Sequence, residues 1–179
     1  LRLRRFESFT PQNLSFVAEL PHIASIRRGT MGTSFYEQGL QFACTQCSKC
    51  CRFDPGYVFL SHQDLHALAE GLSLTMHEVT ERYCRRVDTG LVSRLSLNEQ
   101  SNYDCVFWYN GGCQVYEFRP LQCRTYPFWE PIVSDEESWK AEARECPGMG
   151  VGRLHNGHEI SQRLRARRNA KMIGDRDES

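Results

Sequence analysis

The chain has 179 residues, 40% of them hydrophobic and including ten Phe, seven Tyr and three Trp, enough for one domain with a real core. Lys and Arg together number 22 and Asp and Glu also 22, so no net field draws the protein to nucleic acid or to a membrane surface. No apolar stretch approaches the roughly 20 residues that span a bilayer.

Residues 1–40 mix apolar and polar residues without a sustained period and carry Pro11, Pro21, Gly29, Gly32 and Gly39. They read as an N-terminal extension, with Met31-Gly32 as a possible start of the native chain. A domain over residues 41–152 follows, and residues 153–179 form a basic C-terminal helix and tail.

Four of the nine cysteines fall in Cys44-Thr45-Gln46-Cys47-Ser48-Lys49-Cys50-Cys51. Two spacings of three gather the sulfurs of 44, 47 and 50 on one tight loop, which is how thiolates are presented to zinc or to an iron–sulfur cluster. Buried apolar cysteines would have no reason to crowd onto a loop with Thr45, Gln46, Ser48 and Lys49. A disulfide scaffold would carry an even count behind an apolar leader, whereas the count is nine and residues 1–7 are rich in arginine. The expectation is a reducing, cytoplasmic setting in which clustered cysteines serve as ligands.

Residues 57–60 read as a short strand. Ser61 with Asp64 forms a capping box opening a helix through Glu70, and Gly71 stands where a helix end wants a left-handed residue. Thr75 with Glu78 is a second capping box, and Met76, Val79, Tyr83 and Val87 line one face of the helix it opens. A helical hairpin over residues 62–87 is expected, with Cys84 on its second helix.

Alternation over residues 91–97 predicts a strand. Residues 105–109 and 113–116 flank Asn110-Gly111-Gly112 and predict a β-hairpin bearing Cys105 and Cys113. Pro120 suits the first turn of a short helix carrying Cys123. Residues 134–145 form a polar helix anchored by Trp139 and stopped by Cys146-Pro147-Gly148, and residues 160–172 form a last, basic helix. Gly148-Met149-Gly150-Val151-Gly152 follows a polar helix rather than an apolar strand, so it reads as a turn and not a nucleotide loop. The basic groups at Arg2, Arg4, Arg5, Arg27 and Arg28 and at Arg163, Arg165, Arg167, Arg168 and Lys171 lack interleaved aromatics. They read as solvated faces, and nucleic acid is not expected as a partner.

The string Cys44-x-x-Cys47-x-x-Cys50-Cys51, Cys105, Cys113-x-x-Tyr116, Arg119-Pro120-x-x-Cys123-Arg124-x-Tyr126-Pro127-Phe128 and Cys146-Pro147-Gly148 resembles the CxxCxxCC cysteine-cluster family of zinc- or iron-chelating domains or iron–sulfur proteins. The resemblance covers residues 42–150. It implies metal ligands at Cys44, Cys47, Cys50, Cys51, Cys105, Cys113, Cys123 and Cys146 and leaves Cys84 as a packing residue. Family members carry Gly where this chain has Ser48, at a turn that favours a left-handed backbone.

Eight thiols suggest two four-thiolate sites or one multinuclear centre. Neighbours in an extended segment face opposite ways, so Cys50 and Cys51 are not expected to share one mononuclear ion, which implies a second site or a bridged cluster. The simplest partition joins Cys44, Cys47 and Cys50 to one remote cysteine and Cys51 to the others. The Cys-x2-Cys-x2-Cys spacing favours iron in a 4Fe-4S cluster, while an all-thiolate set suits tetrahedral zinc equally. Arg119 and Arg124 flank the remote cysteines and invite hydrogen bonds to sulfur. Tyr126, Pro127, Phe128 and Trp129 supply an apolar wall, and His62 and His66 are read as surface residues.

The expected fold is therefore α+β: a small metal-centred single domain with a helical hairpin, a β-hairpin and short helices around the cysteines. Function is metal binding with a structural or redox role, in company with a protein partner and no membrane. The alternative from the resemblance is a protein-modifying enzyme related to the flagellin lysine N-methylases, although no methyl-donor motif is recognisable.

Overall fold

A computed structural model describes residues 34–175. Residues 1–33, which include most of the expected N-terminal extension, and residues 176–179 lie outside the described residues.

The architecture is α+β, with three antiparallel two-stranded ribbons and five α-helices among the described residues. Strand β1 (Leu40–Phe42) pairs with β6 (Met149–His155), β2 (Cys84–Asp88) with β3 (Ser93–Leu97), and β4 (Trp108–Tyr109) with β5 (Gly112–Cys113). The helices are α1 (His62–Leu72), α2 (Met76–Tyr83), α3 (Leu121–Thr125), α4 (Glu136–Ala143) and α5 (Gly157–Asn169).

Both expected capping boxes are present. Ser61 Oγ accepts from Asp64 N while Asp64 Oδ2 accepts from Ser61 N, and Thr75 and Glu78 repeat the exchange. Each box satisfies two of the amides that a helix start leaves without partners. The left-handed residue ending α1 is Ser73, at φ 55°, rather than Gly71. Gly71 stays helical, and a Cβ there would lie 2.5 Å from the Phe118 ring. That glycine is a packing requirement instead of a stop signal.

The helical hairpin is shorter than expected. Helix α2 ends at Tyr83, and Cys84 to Asp88 leave it as a strand in register with β3, Cys84 opposite Leu97 and Arg86 opposite Leu95. Val87 completed a helical face in the sequence, but pairing with the apolar β3 outweighs that local period. The segment before α1 flanks β3 on its other side, with Leu60 N donating to Leu95 O and Leu97 N to Val58 O. Enclosed on both sides, Ser96 has no exposed surface, and its hydroxyl accepts from Val58 N.

The β-hairpin turns at Asn110 (φ 48°) and Gly111 (φ 86°), the two left-handed positions of a type I′ turn. It is two residues long on each arm. Cys113 lies on it opposite Trp108, while Cys105 precedes it in an isolated bridge with Glu99. Of the glycine run near residue 150, Gly148 lies in the expected turn, closed by Met149 N donating to Cys146 O, whereas Gly150 and Gly152 belong to β6. A Cβ on Gly152 would meet Ala43 Cβ at 2.3 Å and one on Gly148 the Ala43 carbonyl at 2.3 Å, so the missing side chains let β6 press against the chain leaving β1.

Two hydrophobic cores result. The first gathers Leu40 and Phe42 of β1, Tyr126, Phe128, Trp129, Ile132, Val133, Trp139, Met149, and Ile160 and Leu164 of α5. The second gathers Val58, Leu60, Leu65, Leu68, Ala69, Val79, Leu95, Leu97, Phe107 and Val115. Beyond α5 the chain returns to the second core, where Ile173 N donates to Leu60 O and Ile173 O accepts from Leu95 N.

Candidate metal centre

The cysteine loop leaves β1 at Ala43, whose amide donates to Gly148 O, and closes in a 3-10 turn at Lys49–Cys51. Two non-glycine residues of the loop are left-handed, Gln46 at φ 55° and Ser48 at φ 63°. The second, Ser48, stands at the turn expected to favour a left-handed backbone. The Ser48 hydroxyl donates to Gln46 O, and Ser48 O accepts from both the amide and the thiol of Cys51.

The loop is fastened to the segment before the hairpin. Cys105 N donates to Cys51 O at 2.8 Å, and Arg52 lies 3.1 Å from the carboxylate of Asp104, which is only 1% exposed. The Arg52 guanidinium also stacks 3.6 Å above Trp108. Burial opposes ionisation of Asp104, yet Arg52 and Asn102 hold its carboxyl below the usual carboxylate range. Sequence reasoning missed this clamp. Its trace was a basic residue directly after Cys51 facing an acidic one directly before Cys105.

Asp64 is a second fastening. Buried to 2% exposure, it caps α1 and also accepts from Leu121 N at 2.7 Å, seating the helix that carries Cys123. Gln122 and Trp129 continue the connection, Gln122 Nε2 donating to Tyr57 O and Trp129 Nε1 to Gln122 O.

Six cysteines from four segments meet around one cavity of about 70 Å³: Cys44, Cys50, Cys51, Cys105, Cys113 and Cys123. Tyr116, Arg119, Tyr126 and Trp129 complete much of its wall, and no carboxylate or imidazole lines it. The volume exceeds the roughly 10–15 Å³ that one water requires. Among the described residues no three Cys, His, Asp or Glu side chains are drawn together in a metal-ligating arrangement. The thiols share a wall without converging on one point.

Cys47 is exposed, and Cys146 is buried in the first core. Cys146 lies beside the Tyr126 hydroxyl, which donates to Glu142 Oε1 at 2.7 Å. Cys84 is on β2 against the second core and outside the cavity; burial pushes its thiol up to about 11.

Cys50 packs against the first core and Cys51 against the second, as residues that face different ways should. Their sulfurs nevertheless remain within hydrogen-bonding reach. The reason is local: a 3-10 turn places successive side chains about 120° apart, where an extended strand would place them 180° apart. The single Cys51 thiol proton is shared between Ser48 O and the Cys50 sulfur, which lowers the Cys50 pKa to about 6 and pushes Cys51 up in return.

Burial raises Cys113 and Cys123, and charge on Cys105 and Cys50 raises both further. Burial also raises Cys146, with smaller upward contributions from Cys47 and Cys50. The thiols thus sense one another in two overlapping neighbourhoods, with Cys50 in both. Arg119 opposes this repulsion by favouring the thiolates of Cys50, Cys113 and Cys123. Its guanidinium is held 3.5 Å over the Tyr116 ring and donates to Tyr116 O. Arg124 does not join it in the cavity but turns outward, its Nε donating to Arg119 O.

A donor set of thiols alone fits a thiophilic ion or an iron–sulfur cluster and not magnesium or calcium, which take oxygen ligands. Mutual repulsion of buried thiolates is also what a dication would relieve. His62 and His66 lie outside the cavity, His66 pairing with Glu70 on the surface of α1.

No solved structure matches the chain. Over 122 residues, or 65% of its length, it is 26% identical to an uncharacterized protein of Methanocaldococcus jannaschii, and it spans about two-fifths of that protein's length. A family model matches residues 43–147, a span that encloses all nine cysteines. Thiols from four separate segments around one cavity and the match over most of the described chain lead to one conclusion: the protein belongs to the CxxCxxCC family, described as a "putative zinc- or iron-chelating domain".

Proposed function

We propose that the protein chelates iron, as an iron–sulfur cluster, or zinc through Cys44, Cys47, Cys50, Cys51, Cys105, Cys113, Cys123 and Cys146, and that the centre has a structural or redox role. The observation that carries this reading is the six-thiol cavity without a carboxylate or an imidazole. The packing supports a partition. Cys51, Cys105, Cys113 and Cys123 lie against the second core and form one set. Cys50 and Cys146 lie against the first core, and with Cys47, whose charge reaches Cys146, and Cys44 they form the other. Arg119 offsets the net negative charge that four thiolates leave around a dication. The Cys-x2-Cys-x2-Cys spacing puts iron first.

The test is anaerobic purification followed by elemental analysis, an absorption spectrum and electron paramagnetic resonance. Iron with matching inorganic sulfide establishes the cluster, and zinc alone establishes the tetrahedral alternative. Protein with neither metal above trace amounts, and with its cysteines paired as disulfides by mass spectrometry, overturns the reading.

A further inference from the structure

On the other side of Cys44 lies an open cleft of about 390 Å³, lined by Phe42, Ala43, Arg124, Arg153, His155 and Arg163 as well as Cys44. Three guanidiniums and an imidazole around one depression are an unusual concentration of cationic hydrogen-bond donors in a chain of zero net charge. Their neutralisation is incomplete. Arg153 pairs with Glu159 at 2.9 Å, and Arg124 reaches Asp64 only at 3.6 Å, an acid already engaged by Ser61 and Leu121. Arg163 has no carboxylate partner among the described residues; its guanidinium is stacked 4.9 Å over the buried Phe128 ring. Burial and the Arg153 charge disfavour its cationic form, and the Glu159 charge offsets them only in part. An anion in the cleft would remove that penalty.

His155 supplies the second observation. It is 5% exposed, with its ring against Phe128 and Nε2 placed 3.1 Å from Phe42 O. A carbonyl can only accept, so Nε2 carries the proton and Nδ1 is left with a lone pair. Nδ1 is buried and has no partner among the described residues, the condition that a buried polar atom ordinarily avoids. Guanidiniums bind oxyanions through paired N–H donors, whereas an imidazole lone pair needs an acidic O–H. A hydrogen phosphate group offers both in one ligand.

We propose that this cleft binds a phosphate-bearing small ligand, with Arg163, Arg153 and Arg124 on its charged oxygens and His155 Nδ1 sharing its acidic proton. The cleft has room for more than the phosphate alone, and its rim is Cys44, so the rest of the ligand lies next to the thiol cavity. Binding requires no metal.

Inorganic phosphate and phenyl phosphate, titrated calorimetrically at about pH 6, near the second pKa of a phosphate ester where its acidic proton is still present, into the anaerobic full chain at constant ionic strength set with chloride, should each bind saturably at one site. The affinity should be the same before and after chelator treatment wherever thermal unfolding shows that the fold is retained, which separates this inference from the metal reading. Arg163→Gln and Arg153→Gln, each alone, should weaken binding by about tenfold, the effect of losing one charge-assisted hydrogen bond. Arg165→Gln, exposed on the same helix and outside the cleft, should leave it unchanged. Sulfate, which has no acidic proton at neutral pH, should bind more weakly than phosphate. Absence of saturable binding by both phosphates, or equal affinity in the Arg153, Arg163 and Arg165 variants, overturns the proposal, and sulfate binding as tightly as phosphate removes the role of His155.

Discussion

The two hydrophobic cores of this small protein are closed in different ways. The first is aromatic and continuous: Phe42 meets Tyr126 and Phe128 edge-on, and Phe128 stacks on Trp139 at 6.0 Å. Only Cys50 and Cys146 of the candidate ligands touch it. The second is mainly aliphatic at its centre and is bordered by sulfur, with Cys51, Cys84, Cys105, Cys113 and Cys123 in or against it. Aromatic residues bury large areas and interlock without help, whereas a wall of mutually repelling buried thiols is stable only when they stay protonated or share a cation. One half of the fold is closed by interlocked rings, and the other borders a cavity lined with thiols.

The largest effect should come from removing metal. Chelation of the anaerobic protein should strip amide protection from residues 58–60 and 95–97 while residues 149–155 and 160–164 keep most of theirs, measured by hydrogen exchange. Metal binding and folding share the same free energy, and four candidate ligands pack against the second core but only Cys50 and Cys146 against the first. Equal loss in both cores would erase the distinction drawn here.

Single thiols sharpen it. Cys123→Ser and Cys50→Ser should each lower metal content by opening a coordination position, with Cys123→Ser the more destabilising. Cys84→Ala should keep full metal and lose only about 1–3 kcal/mol of stability through its cavity. Metal analysis and chemical denaturation decide this, and a Cys84→Ala protein as metal-poor as Cys50→Ser would show the nine cysteines to be divided wrongly.

Glycine substitutions probe the cores without touching sulfur. Gly152→Ala combines a left-handed backbone with a Cβ 2.3 Å from Ala43, and prising β6 from β1 should cost about 2–4 kcal/mol. Gly71→Ala meets only the partly exposed Phe118 ring and gains helix propensity, so about 1–2 kcal/mol is expected in denaturant titrations.

Acid acts through Cys50. Its folded pKa of about 6 lies below that of an unfolded thiol near 8.5, so between these values the unfolded chain binds more protons and the metal-free, reduced protein gains stability from this group as pH rises. The gain is complete above about pH 8.5 and lost as pH falls through about 6. Cys113, Cys123 and Cys146 have the opposite sign and weaken the protein above that range. Thermal midpoints of the metal-free protein should therefore peak near pH 8 to 8.5, and Cys50→Ser should flatten the acid limb.

The smallest effect is local. Ser48→Gly relieves a left-handed residue but gives up the hydroxyl bond to Gln46 O, for a net gain below about 1 kcal/mol in the denaturation midpoint.

Much of the local structure was legible in the residues themselves. Ser61 with Asp64 and Thr75 with Glu78 announced helix starts, Asn110-Gly111 the hairpin turn and Pro120 the short helix of Cys123, because caps and tight turns depend on chemistry within three or four residues. The cysteine string also announced the family. What the chain alone could not decide were matters of long-range contact. Residues 84–88 carry a period compatible with a helix and became a strand because β3 lies beside them. Gly152 read as part of a turn and became strand, pressed against Ala43. The meeting of six thiols in one cavity, the seating of Cys146 in the opposite core and the closing of Arg124, Arg153, His155 and Arg163 around a cleft join residues up to about a hundred positions apart. Such encounters depend on how two cores pack, and no local period encodes that.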